Sequence, residues 1–324
     1  MRKLSFSQAI KEATDQAMSL NDDVMLLGQL VDYSTGVFGT TTDLINKFGP
    51  DRVRDFPVAE SLMTSAALGA AIDGRRVILA HHRLDFMMYS LDAITNWISL
   101  WRFKSGENTS VPIVIRAIVG KGWGQGPQHS KSLHSWFSHL PGIRVAAPSN
   151  AYDAKGIMLE SILGEIPTII IEHRSLFDLE SLVPEEPYRK RFGEAKIRLE
   201  GSDITVVSIG YTIHDALKVA ERLKSQNINL EIIDPVSLSP IDSKTIIESV
   251  KKTGRLVVLD HGWKSYGAAA EIISLVSEQS NNFLKTSPLR ITFPDSHTPM
   301  SSSLEKEFYI NEELLLKKIQ EFYG

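Results

Sequence analysis

The chain has 324 residues, 43% of them hydrophobic and 23% charged, with a formal net charge of −4 and no cysteine. It is long enough for two globular domains, and it lacks the basic cluster of a nucleic-acid-binding protein, the apolar run of a membrane span and the apolar core of a signal peptide. The absence of cysteine excludes disulfides, thiolate zinc sites and cysteine nucleophiles, and it favours a cytoplasmic location.

The first part of the chain alternates predicted helices with short apolar strands. It opens with a helix capped by a serine, and a later helix of small side chains begins at Glu60 and stops at Gly74. Runs of β-branched and aliphatic residues are typical of strands that are buried on both faces. The predicted strands cover 23–30, 75–82, 111–119 and 167–174, and the predicted helices cover 5–20, 60–74, 86–104 and 148–164.

A segment rich in proline and charge, "LVPEEPYRKRFGEAK", interrupts this pattern and reads as a linker. The remainder is a regular series of strands alternating with helices, which implies a parallel sheet covered on both faces. The strands cover 203–210, 228–235, 254–260 and 289–295, and the helices cover 213–226, 242–254 and 267–280. We therefore predict an α/β protein with two three-layer domains and mostly parallel sheets, divided into 1–183, a linker at 184–200, and 201–324.

The glycine-rich stretch "GKGWGQGPQHS" follows a predicted strand, as a nucleotide-binding loop does. It matches neither GxxxxGK[ST] nor GxGxxG leading into a helix, so it gives little support for phosphate or nicotinamide binding. We interpret it as flexible backbone that delivers His129 from a strand end, where α/β proteins usually place their sites.

Histidines are the next candidates for chemistry. His81 and His82 end a strand, and His129, His134 and His139 follow the glycine-rich stretch. Their spacing matches no known zinc ligand set, so we predict no metal site. A buried histidine is often a structural group, but polar strand ends that converge with Glu60 favour a site.

Glu60 stands between apolar residues, where a carboxylate is costly unless it is paired or protonated. One explanation is an anion favoured by the positive end of the helix dipole. That explanation accounts for its position but not for its apolar neighbours.

Three stretches resemble a known family: "GVFGTTTDLINKFGPDRVRDFPVAES", "GQGPQHSKSLHSWFSHLPGIRVAAPSNAYDAKG" and "LRITFPDSHTPMS". The family is the β subunit of the E1 component of 2-oxo acid dehydrogenases, which act on pyruvate, branched-chain oxo acids or acetoin. Transketolases and deoxyxylulose-phosphate synthases are wider relatives. The resemblance runs in order from Leu4 to the C-terminus. It implies a transketolase-like pyrimidine-binding domain followed by a transketolase C-terminal-like domain.

The resemblance also implies roles for single residues. The family glutamate that matches Glu60 hydrogen-bonds N1′ of thiamine diphosphate and so activates thiazolium C2. Phe86 falls where the family stacks an aromatic ring on the aminopyrimidine, although an ordinary core phenylalanine is the alternative. His129 matches a histidine that faces the reacting carbon and either steadies the substrate or assists acyl transfer. His139 also matches a family position, which we interpret as mainly structural.

The chain departs from the family pattern around this pocket. Gln29 replaces an acidic residue, His81 and His82 replace apolar or acidic residues, and Tyr89 stands where pyruvate dehydrogenases tend to carry glutamine. We expect Gln29, His82 and Tyr89 to lie beside the cofactor. The departures predict an altered substrate or acceptor, so pyruvate is not assumed.

The sequence lacks the GDG motif, with its distant asparagine, that holds diphosphate and Mg²⁺ in family enzymes. The resemblance therefore implies an α-type partner that holds Mg²⁺, an α2β2 assembly, and a lipoyl acyltransferase as a possible acceptor. Half of a split transketolase-like enzyme, which would pass a two-carbon or acyl unit to an aldehyde or sugar, is an alternative function. A non-catalytic scaffold subunit is another, although the retained Glu60 and His129 argue against it.

Overall fold

The structure is a computed structural model that describes residues 1–106, 109–120 and 124–324. Its described residues form two compact units. Unit 1 comprises those within 1–120 and 136–192, and unit 2 those within 121–135 and 193–324. The predicted division into 1–183, 184–200 and 201–324 stays a prediction.

The chain up to residue 192 alternates strands and helices. The strands are β1 (Arg2–Ser5), β2 (Val24–Gly28), β3 (Val53–Asp55), β4 (Arg76–His81), β5 (Ile113–Val119), β6 (Arg144–Ala146), β7 (Thr168–His173) and β8 (Glu180–Val183). The helices are α1 (Phe6–Leu20), α2 (Leu44–Phe48), α3 (Glu60–Ile72), α4 (Leu84–Met87), α5 (Trp101–Ser105), α6 (His134–Ser138) and α7 (Ala151–Ile162). The predicted strands are therefore present, as are the predicted helices other than 86–104, and several short elements are added to them.

The central sheet of unit 1 contains six of its strands in the order β6-β7-β5-β4-β2-β3, all parallel. All seven residues of β5 are buried, as expected for a strand covered on both faces. Strands β1 and β8 form a separate antiparallel pair. The result is a parallel sheet whose carboxyl edge is built from the ends of β2, β3, β4, β5 and β7.

The first helix illustrates how the sequence sets these elements. Ser5 and Gln8 form a capping box, in which each side chain hydrogen-bonds the other's backbone N–H. The buried stripe of α1, which includes Phe6, Ile10 and Ala17, packs the helix against α7. The predicted serine cap and amphipathic helix are both confirmed.

The segment predicted as one helix over 86–104 is helical but broken into pieces. After α4 come a 3₁₀ turn (Met88–Ser90), a π-helix (Ala93–Ile98) and α5. The hydroxyls of Thr95 and Ser99 each donate to the carbonyl four residues earlier, both at 2.7 Å. Such bonds can bend a helix, but Thr14 in α1 and Ser161 in α7 make the same bond within regular helices, so the bonds alone do not account for the break.

Unit 2 has a five-stranded sheet in the order β14-β13-β10-β11-β9, parallel except for β9, which runs antiparallel to β11. Its core consists of buried aliphatic side chains from the sheet and from the helices that pack on it. The strands are β9 (Lys196–Leu199), β10 (Ile204–Ser208), β11 (Leu230–Asp234), β12 (Ser237–Ser239), β13 (Leu256–Trp263) and β14 (Leu289–Phe293). The helices are α8 (Thr212–Lys224), α9 (Ser243–Thr253), α10 (Ala268–Ser280), α11 (Ser302–Phe308) and α12 (Glu312–Tyr323).

Candidate active site

The carboxyl ends of the parallel strands in unit 1 are followed by polar side chains. Gln29 follows β2, the loop after β3 leads to Glu60, and β4 ends at His81 with His82 next. Because parallel strands point in the same direction, these residues collect at one edge of the sheet, where ligands of α/β proteins usually bind. The structure therefore brings four of the residues singled out in the sequence to the same edge.

Glu60 is the first residue of α3 and is only 8% exposed. Ala59 occupies the cap position and provides no side-chain hydrogen bond to the helix. The helix dipole favours an anion at this position. Attraction to the dipole does not require burial of the residue, however, so a glutamate that is largely buried at this position suggests a hydrogen-bonding ligand.

His82 and Gln29 are linked by a hydrogen bond. Nε2 of His82 lies 2.8 Å from the backbone oxygen of Gln29, and because a carbonyl only accepts, His82 is the donor. Burial lowers the pKa of His82, the Gln29 bond partly offsets this, and the nearby Arg116 charge lowers it further. The side-chain Nε2 of Gln29 is buried and has no hydrogen-bond partner within the described chain. An unpaired buried donor at this edge fits a ligand that brings an acceptor.

The two predicted aromatic contacts differ in exposure. Phe86 lies in α4 and is half-buried, whereas Tyr89 follows in the 3₁₀ turn and is 72% exposed within this chain. A half-buried ring can offer one face to a ligand. Contact between either residue and the cofactor stays a prediction.

His81 is buried with 1% exposure. Burial lowers its pKa from 6.5 to about 3, with a smaller contribution from His82. The folded chain therefore holds a neutral imidazole over a pH range in which the unfolded chain binds a proton. The resulting stability is fully present above about pH 6.5 and is lost as the pH falls toward 3.

Acid should therefore weaken unit 1 partly through His81. Between pH 7 and pH 5, this group alone removes about 2 kcal/mol, because each pH unit well below 6.5 costs about 1.4 kcal/mol. We expect a His81→Phe variant to lose less free energy of unfolding over this range than the wild type. Urea titrations of both proteins at pH 7 and pH 5 measure the difference. Equal losses in the two proteins would contradict the prediction.

A buried ion pair in the same unit was missed by the sequence reasoning. Arg116 of β5 binds Glu172 of β7 through two hydrogen bonds of 2.6 and 2.9 Å, and Arg116 also donates to Thr40 at 2.7 Å. Both charged residues are at most 1% exposed. A signal was present, since an arginine inside an apolar strand must be paired when it is buried. The pair joins two central strands just below the candidate edge.

His129 lies in the segment 124–135, which belongs to unit 2. It follows a 3₁₀ turn (Gly126–Gln128) and is half-buried. Gly126 has a positive φ of 63°, and a Cβ there would lie 2.3 Å from the side chain of Met300, so a larger residue would strain the backbone and displace Met300. Residues 121–123 of the glycine-rich stretch lie outside the described residues. The predicted delivery of His129 from a strand end stays a prediction.

A second buried ion pair, also missed in the sequence, fixes this segment on unit 2. Nε2 of His134 lies 2.9 Å from Oδ1 of Asp260, and both side chains are buried. Burial alone would lower the pKa of His134, but the Asp260 carboxylate outweighs it and holds that pKa above its usual value. The pair anchors the segment five residues after His129.

Two family models together cover most of the chain. Residues 2–178 match the pyrimidine-binding domain of transketolase, and residues 193–314 match the transketolase C-terminal domain. A solved structure described as a split-gene transketolase, an inactive β4 tetramer, matches with a TM-score of 0.79 and 20% identity over 98% of this chain and 97% of that one. At this identity the likeness shows the fold alone.

Curated relatives extend over nearly the whole chain. The β subunit of acetoin:2,6-dichlorophenolindophenol oxidoreductase from Cupriavidus necator is 39% identical, covering 95% of this chain and 94% of the relative. The pyruvate dehydrogenase E1 β subunit of Bacillus subtilis is 33% identical, covering 94% of both chains. The chain belongs to the E1 β-subunit family. The resemblance read from the sequence and the predicted α/β fold class are both confirmed.

Membership in the E1 β-subunit family makes the chain a β-type subunit of a thiamine-diphosphate-dependent enzyme. The predicted function as such a β subunit is confirmed at this level. The similarity to these relatives extends over whole chains and domains and tests the role of no single residue. The individual roles therefore stay predictions, namely those of Glu60, Phe86, Gln29, His82, Tyr89 and His129.

The described part of this E1 β-type chain shows neither a membrane-spanning helix nor a metal-binding cluster. In the ranges that the structure describes, no helix is long and apolar enough to cross a membrane. The same ranges contain no group of three or more histidine, aspartate or glutamate residues placed to hold a metal ion. The predicted cytoplasmic location stays a prediction.

Proposed function

We propose that the chain is the β subunit of a thiamine-diphosphate-dependent 2-oxo acid dehydrogenase that works with an α-type subunit as α2β2. The observation that carries the proposal is the burial of Glu60 at the first position of α3, on the carboxyl edge of a parallel sheet. The relatives at 33% and 39% identity are both β subunits of oxidoreductases, whereas the transketolase likeness is only 20%. They favour a dehydrogenase over a split transketolase.

The residues at this edge fit an aminopyrimidine ring. Glu60 is a buried acidic residue, Gln29 offers a buried N–H that has no partner among the described residues, and Phe86 offers a half-buried aromatic ring. Thiamine diphosphate, when bound, supplies a thiazolium ring that accepts electrons when a bond next to a carbonyl is cleaved. The set supports pyrimidine binding by this chain.

Each residue then has a defined task. Glu60 holds the proton that its carboxylate shares with N1′ of the ring, and Phe86 orients the ring by stacking. His129 either steadies the substrate or its intermediate, or assists acyl transfer, because an imidazole can donate or accept a hydrogen bond there. Neutral His82, held by Gln29, shapes the pocket together with Tyr89, and these departures from the family pattern favour a substrate other than pyruvate.

The partner supplies what the chain lacks. The sequence has no GDG motif with a distant asparagine, and both relatives are named as β subunits. We assign the diphosphate and Mg²⁺ to the α-type subunit, and we propose a lipoyl group on an acyltransferase as the acceptor. We also propose a cytoplasmic location.

The test is a substrate panel on the enzyme reconstituted with its co-purified α-type partner. We expect reduction of 2,6-dichlorophenolindophenol with a 2-oxo acid or acetoin, and a loss of about 10²–10⁴ in rate for His129→Ala. The matched control is His214→Ala, because His214 is also half-buried in unit 2 but lies outside the stretches that carry the resemblance.

Two outcomes would overturn the proposal. Two-carbon transfer to an aldehyde or sugar, with no turnover of the oxo acids or acetoin, would identify a split transketolase. No turnover of any donor by an intact α2β2 particle loaded with cofactor would identify a scaffold subunit.

A further inference from the structure

A chain of three buried side chains leads from His81 to the backbone of Glu60. Nε2 of His81 lies 3.2 Å from Oγ1 of Thr64, and Oγ1 of Thr64 lies 2.8 Å from Oγ of Ser90. Oγ of Ser90 lies 2.9 Å from the carbonyl oxygen of Glu60. Thr64 and Ser90 are fully buried and His81 is 1% exposed. We call these three side chains the relay.

The direction of each hydrogen bond follows by elimination. The carbonyl of Glu60 can only accept, so the hydroxyl of Ser90 donates to it. The hydroxyl of Thr64 must then donate to Ser90, and its oxygen accepts from His81. His81 therefore carries its proton on Nε2, and burial, which lowers its pKa to about 3, keeps the ring neutral at pH 7. Each hydrogen bond of the relay therefore has one defined donor and one defined acceptor.

The relay joins the elements that carry the proposed cofactor contacts. Thr64 lies one turn after Glu60 in α3, His81 ends β4, and Ser90 ends the 3₁₀ turn that follows Phe86 and α4. Helix α3 packs against β4 and against this turn. Apolar side chains could fill the same space without hydrogen-bond partners. The three polar side chains must each meet a partner, so they fix one arrangement of these elements, and they do so at a cost in desolvation free energy.

The start of α3 has a side-chain attachment that differs from a helix cap, because Ser90 donates to a carbonyl, whereas a cap side chain accepts from a backbone N–H. First turns of helices are commonly held by a side chain at the cap position, but Ala59 has none to offer. The only side-chain hydrogen bond that the described residues make to the backbone of Glu60 comes from Ser90. If the backbone of Glu60 moved, its carboxylate would move with it.

We propose that His81, Thr64 and Ser90 are positioning residues that hold the Glu60 carboxylate in register with the Phe86 segment. The proposal rests on the proposed function of Glu60 and adds to it. It also gives a role to His81, whose departure from the family pattern the proposed chemistry does not use. His81 acts here as a fixed donor that does not titrate near neutral pH.

The experiment compares Thr64→Val with Thr64→Ser in the full chain and in the reconstituted enzyme. Valine has nearly the shape of threonine but breaks the relay at its centre, whereas serine keeps the hydroxyl. In the full chain without cofactor, we expect faster amide hydrogen exchange in residues 60–64 and 84–92 of Thr64→Val only. In the reconstituted enzyme, we expect about 10- to 100-fold slower exchange of the thiazolium C2 proton in Thr64→Val at saturating cofactor, and near wild-type exchange in Thr64→Ser.

Ser90→Ala is the second variant, because it cuts the last link without adding bulk, and it should show both effects. Wild-type amide exchange and C2 exchange in Thr64→Val and Ser90→Ala would overturn the positioning proposal. Equal loss in Thr64→Val and Thr64→Ser would overturn it as well, because the hydroxyl would then not matter. Wild-type C2 exchange in a Glu60→Gln variant would instead overturn the proposed function, so the two failures are distinguishable.

Discussion

Glu60→Gln should abolish activation of thiamine diphosphate while leaving the chain folded. Glutamine keeps the size of the side chain and can still hydrogen-bond to N1′, but it cannot hold the proton there. Losing a positioned proton-transfer group costs about 10²–10⁴ in rate. The measurement is exchange of the thiazolium C2 proton in the assembled enzyme, followed by NMR after quenching at set times.

The control separates this role from a helix-dipole effect. Glu271 also lies in the first turn of a 13-residue helix, α10, but it is exposed. If the charge at a helix start were the whole explanation, Glu60→Gln and Glu271→Gln would each cost about 0.3–1 kcal/mol of stability and leave C2 exchange unchanged. That result would remove Glu60 from the active site.

Much of the fold follows from periodicity in the sequence. The buried strands β4, β5 and β7 are long apolar runs, and the helices of unit 2 show clear amphipathic spacing, so both were predicted with little ambiguity. The strands β1, β3, β6, β8, β9 and β12 were not predicted. They have three or four residues each and are partly exposed, so they show neither a continuous apolar run nor a stable alternation. They are recognised as strands only from the neighbouring strands with which they pair in the folded chain.

The candidate site divides in the same way. Glu60 and His81 stood out because a polar residue interrupts an apolar stretch, which is visible in one dimension. Thr64 and Ser90 did not stand out, since a threonine or serine in a helix is ordinary. Ser90 reaches Thr64 across 26 positions, and Arg116 reaches Glu172 across 56. Only the folded chain shows that these neutral or paired groups lie beside the residues that the sequence had singled out.

The largest effect on cofactor binding should come from the partner subunit. The full chain alone, with Mg²⁺, should bind thiamine diphosphate weakly, because it supplies contacts to the pyrimidine and lacks the motif for the diphosphate. Adding the α-type subunit should give an α2β2 particle and raise cofactor affinity by roughly 100-fold, a coupling typical of sites that are completed by assembly. Calorimetry on the chain alone and on the assembled particle measures the difference, and light scattering gives the particle mass.

The surface of the broken helical segment in unit 1 offers a way to perturb the assembly without touching the site. Phe103 is 93% exposed, Trp97 and Leu100 are more than 40% exposed, and Phe103 and Leu100 line an open apolar cavity of about 550 Å³. Aromatic side chains, phenylalanine included, are enriched in the cores of interfaces, where a few residues supply most of the binding energy. Phe103→Ser should therefore weaken assembly by about tenfold, while Phe283→Ser, a change at a half-exposed phenylalanine in unit 2, should have little effect. Because cofactor binding and assembly are linked, Phe103→Ser should also lower the cofactor affinity that is measured when the partner subunit is limiting.

For both experiments, the decisive comparison is the wild-type chain alone. Tight cofactor binding by the chain alone would show that it holds the diphosphate itself, and the division of the site between two subunits would then be wrong.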